Sequence, residues 1–107
     1  MTVVDTVIVG TGFKGAEAKA AVAKMRPGDG VVLKREPGNR HDPLAVACYY
    51  QFRHVGYIPR QANLKIAAAL DAGLEVACVV SEPPVVHGPV IRVEPKLTVS
   101  WDEAATP

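Results

Sequence analysis

No stretch limits the possible folds of this chain more than Lys34-Arg35-Glu36-Pro37-Gly38-Asn39-Arg40-His41-Asp42-Pro43. A β-branched run at Val31-Val32-Leu33 enters it, and Leu44-Ala45-Val46-Ala47 leaves it. The segment therefore reads as strand, stiff loop, strand. Pro37 and Pro43 fix φ and remove backbone donors, while Gly38 and Asn39 tolerate positive φ. A stiff loop displaying Asn39, Arg40, His41 and Asp42 is better suited to holding a ligand than to joining two strands. Asn39 and Asp42 can also bond their own backbone in Asx-turns, and at the level of sequence both roles stay open.

The rest of the chain supplies strands and two helices around that loop. Its 107 residues suffice for one compact domain and are too few for two. Residues 3–9 predict a first strand, and the alanine-rich stretch 16–25 predicts a helix stopped by Arg26-Pro27-Gly28. Strands are expected at 31–36 and 44–50, a tight turn at 51–53, and a short strand at 54–58. Pro59 opens a helix over 60–72, striped by Ile66 and Leu70 and ended by Gly73. Two more strands are expected at 75–80 and 91–99, with Pro83-Pro84, Gly88 and Pro89 forming a loop between them. The expected class is mainly β with two helices (α+β), a small barrel of five to six strands. Val31, Leu33, Val46, Val76 and Val99 should face its core. Residues 1–100 form the domain, and 101–107, from Trp101 onward, form a polar tail.

Two motifs together resemble the signature of the HIRAN domain. The first is Glu36-Pro37-Gly38-Asn39-Arg40-His41-Asp42-Pro43-Leu44-Ala45-Val46, and the second is Val55-Gly56-Tyr57-Ile58-Pro59. The likeness covers roughly residues 7–99. It implies an oligonucleotide-binding-like β-barrel whose groove grips the 3′ end of single-stranded DNA. Aromatic side chains would stack on the last bases, and an acid would accept a hydrogen bond from the free 3′-hydroxyl. Carried over by position, Phe13 matches one aromatic, and His41 falls where another usually sits. Asp42 falls on the acid, Asn39 on the loop amide, Tyr57 on a ring position, and Arg60 on a basic position near phosphate. Lys14 joins this set as a neighbouring cation. Two departures stand out: Phe13 has no hydroxyl, and Gly12 replaces a residue that is basic in some members.

The chemistry also holds independently of the likeness. Every base has a π-face, so Phe, Tyr and His make sequence-tolerant platforms. A carboxylate among phosphates is useful only when the target carries a donor, as a free 3′-hydroxyl does. The formal net charge of +1 excludes a chain that binds polyanions by overall charge. Local clustering has to do that work, through Lys14, Lys34, Arg35, Arg40, Arg53, Arg60 and Lys65.

Other chemistries fit less well. Gly10-Thr11-Gly12-Phe13-Lys14-Gly15 matches the letters of a dinucleotide loop, but no second βαβ unit follows. His41, Asp42 and His54 match no metal-ligand spacing. With neither a nucleophile triad nor a Walker motif, neither an enzyme nor a cofactor is expected. Cys48 and Cys78, both in apolar strand contexts, read as buried free thiols, with a disulfide left open by spacing. No run is long enough to span a bilayer and no signal peptide is evident, so a soluble, cytoplasmic protein is expected, nucleoid-associated in a prokaryote. The expected function is a single-stranded DNA-binding module that prefers 3′-hydroxyl ends and directs a DNA-repair or replication protein to damaged or stalled DNA. The alternative is a barrel of the same fold that binds a protein segment without recognising DNA ends.

Overall fold

The computed structural model describes residues 1–103. Eight strands and two helices follow one another in the order β1 (Thr2–Val7), α1 (Ala16–Ala23), β2 (Val32–Arg35), β3 (Val46–Tyr50), β4 (Arg53–Tyr57), α2 (Arg60–Asp71), β5 (Ala77–Glu82), β6 (Val85–His87), β7 (Val90–Val93) and β8 (Lys96–Trp101). A single 3-10 turn, Thr11–Phe13, lies between β1 and α1. The chain is thus mostly β with two helices.

The strands form two three-stranded sheets, ordered β1-β8-β5 and β2-β3-β4, and a separate β6-β7 hairpin. All the ladders are antiparallel. That removes the βαβ context a dinucleotide loop needs, and the glycine-rich segment folds into the 3-10 turn instead. The two large sheets touch at both ends through isolated bridges, Val9 with Tyr57 and Gly30 with Val79. These are single contacts, so the expected barrel is not drawn as one continuous ladder.

Alternation decides the core. On β8, Leu97, Val99 and Trp101 turn inward while Lys96 is exposed, as a period of two requires. Val31, Val46 and Val99 are buried together, and Leu33 and Val76 pack against them half-buried. Helix α2 contributes Ile66, Ala67 and Ala69 to the same cluster. Helix α1 contributes Ala18 and Val22.

Three expectations need correction. Among the described residues there are eight strands where five or six were expected, because the Pro83–Pro89 segment contains the β6 strand of a hairpin. Residues 91–99 are two strands, broken at Glu94-Pro95, since proline has no N–H to continue a ladder. Trp101 is no tail residue: it pairs with Thr2 and is 5% exposed in the core. Residues 104–107 of the expected tail lie outside the described residues. Cys48 and Cys78 are buried free thiols, and burial pushes both pKa values up, that of Cys78 to about 12.

Candidate nucleic-acid interface

The proline-rich loop folds as a set of side-chain-to-backbone bonds. Asn39 Oδ1 accepts from the His41 and Asp42 amides at 2.9 and 3.1 Å, and its Nδ2 donates to Glu36 at 3.1 Å. Asp42 Oδ1 accepts from the Leu44 amide at 2.9 Å. These are the Asx-turn bonds foreseen for Asn39 and Asp42. They consume the Asn39 carbonyl oxygen but leave the second Asp42 oxygen facing outward from its turn.

That second oxygen is held from helix α2. Asn63, 3% exposed, donates to Asp42 Oδ2 at 2.7 Å, and Arg60 Nε lies 3.7 Å from the same atom. Arg60 also donates to the His41 carbonyl at 2.6 Å. The Leu44 amide, above all, holds the Asp42 carboxyl below its ordinary pKa. Partial burial opposes this, and Asn63, Arg60 and Arg35 reinforce it. Asp42 is therefore ionised at neutral pH and can only accept.

Across the groove stands Tyr57. Its hydroxyl donates to Glu36 at 2.9 Å. Burial, then this bond, pushes the phenol up to about 12. Lys14 Nζ sits 4.9 Å from the centre of the Tyr57 ring, a cation–π contact. His54 meets the Tyr57 edge at 4.9 Å and stacks on Tyr49 at 5.0 Å. Burial and the Lys14 charge lower the His54 pKa.

A groove of about 360 Å³ results, lined by Lys14, Asn39, His41, Asp42, Tyr57 and Arg60 over a floor of Val9, Ala45, Ile58 and Pro59. Six of the eight site residues foreseen from sequence meet there. Phe13 and Arg40 do not line it. Phe13 is 94% exposed, because the 3-10 turn buries Thr11, whose Oγ1 donates to the Val55 carbonyl at 2.6 Å. Arg35 and Arg53, counted with the phosphate-binding cations, are engaged elsewhere. Arg35 clamps the loop to α2 through Asp71, Ala45 O and Pro43 O, and Arg53 pairs with Glu17.

The family-model comparison matches the HIRAN domain over residues 1–102. The chain belongs to the HIRAN domain family. Two solved structures share its fold. The HIRAN domain of human HLTF matches with a TM-score of 0.69 at 17% identity, covering 92% of this chain and 74% of that one. A protein from Lactobacillus plantarum matches with a TM-score of 0.70 at 25% identity, covering 92% of this chain and 95% of that one. No curated protein gives a significant match.

Two residues that hold the groove's side chains in place were missed in sequence. Glu36 stands in the motif itself but reads as a turn residue. Its role as the acceptor joining Asn39 and Tyr57 appears only when β4 folds back beside the loop. Asn63 had one available signal: it lies three residues after Arg60, on the same face of the helix. Among the described residues no cluster of three or more His, Cys, Asp or Glu side chains could hold a metal, and no helix is long and apolar enough to cross a membrane.

The Glu36 contacts predict an acid response. Burial alone would raise the Glu36 carboxyl, but the bonds from Asn39 and Tyr57 outweigh it and bring it below 4.5. A lowered folded-state pKa gives stability that is full above the unfolded value and is lost as pH falls through the folded one. Urea midpoints should therefore fall between about pH 5 and pH 3 more steeply in the parent than in Glu36→Gln. Parallel curves would remove Glu36 from the acid-sensitive set.

Proposed function

We propose that this HIRAN domain binds single-stranded DNA in the Lys14–Tyr57–Asp42–Arg60 groove and prefers strands ending in a 3′-hydroxyl. The observation that carries this reading is the Asp42 carboxylate, ionised and lining a groove that also contains Arg60 and Lys14. Cations beside an acceptor suit a ligand that has both phosphates and one donor. A terminal nucleotide is such a ligand. Asn39, whose amide is spent on the loop, positions His41 and Asp42, while His41, Tyr57 and Pro59 offer apolar surface to the base. Phe13, next to Lys14, and Arg40, next to His41, are read as outer contacts to the following nucleotides.

In this reading the two sheets bridged at Val9–Tyr57 and Gly30–Val79 act as an oligonucleotide-binding-type barrel. The folded domain, Trp101 included, is the binding unit, a cytoplasmic adaptor without catalysis of its own that brings repair or replication machinery to damaged or stalled DNA. The test is an anisotropy titration with single-stranded oligonucleotides at several salt concentrations. The log–log slope should be about −0.7 for each phosphate contacted. A slope near zero, or no binding, would favour a protein segment as the groove's occupant. Tyr57→Ala should weaken binding by about 1–3 kcal/mol while the domain stays folded. Unchanged affinity would make Tyr57 a structural residue that only holds Glu36.

A further inference from the structure

The aromatic residues continue beyond the groove. On the outer face of the β2-β3-β4 sheet, Lys34, Ala47 and Tyr57 form one cross-strand row, and Val32, Tyr49 and His54 form the next. The Tyr57, His54 and Tyr49 rings touch in sequence, at 4.9 and 5.0 Å between centres. Beyond Tyr49 lies a second hollow of about 420 Å³, lined by Gly30, Val32, Lys34, Tyr49, Gln51 and Phe52. Among the described residues no carboxylate lines it.

The turn at the far end of this row is strained. Gln51 and Phe52 both have positive φ, 50° and 66°, where a two-residue hairpin favours Asn-Gly. Phe52 is also fully exposed, so its ring gains nothing from the core. A bulky residue held in the left-handed region is strained, and such strain clusters at ligand contacts. The β3–β4 turn thus holds a ring outward at the end of an aromatic row that begins in the groove.

We propose that this row is a second binding segment for the single strand. It would carry the bases on the 5′ side of the terminal nucleotide from Tyr57 over His54 and Tyr49 to Phe52. The proposal rests on the groove reading above and extends it along the sheet. Lys14 over the Tyr57 ring and Lys34 in the lining of the second hollow supply the charge that phosphates require. The rings supply π-faces that accept any base, so this segment adds affinity without sequence preference.

The test uses labelled oligonucleotides of about 12 nucleotides, within the site sizes known for single-strand-binding barrels. All share the same 3′-terminal nucleotide, the one the groove holds in the reading above. The remainder carries either normal bases or abasic sugars, which keeps the phosphates constant. The parent should bind the base-bearing form at least about five-fold tighter. Phe52→Gly should reduce that ratio while leaving the abasic form's affinity unchanged. Its melting temperature should be equal or higher, since glycine suits the positive φ. Tyr49→Ala should reduce the ratio as well. Equal binding of the two forms by the parent overturns the second segment and leaves the groove reading standing. A ratio kept in both variants overturns it too. Failure to bind either form overturns both readings together.

Discussion

Gly56→Ala is expected to lower folding stability by at least about 3 kcal/mol. Gly56 has φ of 152°, and a Cβ there would lie 2.4 Å from the Val9 carbonyl oxygen and 2.6 Å from Ile8 Cγ2. Neither neighbour can yield cheaply. Val9 exchanges two backbone hydrogen bonds with Tyr57, both 2.9 Å, and Ile8 is fully buried. The added methyl therefore either separates the two sheets at the Val9–Tyr57 bridge or displaces a core side chain. In a domain of this size the melting temperature should drop by more than about 12 °C. Val9 and Tyr57 line the groove, so any variant that still folds should also lose oligonucleotide affinity. A melting temperature within a few degrees of the parent's would show that the bridge shifts without cost, and that this glycine is not required by packing.

The largest expected effect on binding comes from the chemistry of the strand's end. A 3′-hydroxyl offers Asp42 a donor, whereas a 3′-phosphate removes the donor and places roughly two negative charges beside the carboxylate. The hydroxyl form should bind tighter by on the order of ten- to a hundred-fold, corresponding to a lost charge-assisted bond. Changing the 5′ end should matter little. Asp42→Asn should shrink the ratio, because it removes the charge while retaining one oxygen for the loop bonds. Asn63 is essential to the interpretation. It occupies part of Asp42 Oδ2 and aims the carboxylate, so Asn63→Ala should also reduce the ratio, with a cost in stability of about 1 kcal/mol for the lost bond. Equal binding of the two ends by the parent would leave Asp42 as a structural acceptor that caps its loop and ties it to α2 through Asn63 and Arg60.

The sequence alone decided what depends on neighbours along the chain. The Pro37–Pro43 loop between a β-branched run and a second apolar strand, the helix opened by Pro59, and the inward alternation of Val46 and Val99 are local patterns, and each emerged in the structure. The meeting of Lys14, Asn39, His41, Asp42, Tyr57 and Arg60 was expected from the likeness to the HIRAN domain and not from local pattern, since they come from three separate segments. Tertiary structure decided what depends on distant segments. Trp101 looked like the start of a tail, since nothing near it in sequence shows that β1 pairs with β8 and closes over it. Arg35 looked like a phosphate ligand until Asp71 arrived from α2 to bind it, and Phe13 left the groove once Thr11 bonded Val55. Glu36 and Asn63 became site residues only when β4 and α2 folded against the loop. A hydrogen bond needs its partner within about 3 Å, and whether one stands there is settled by packing between segments.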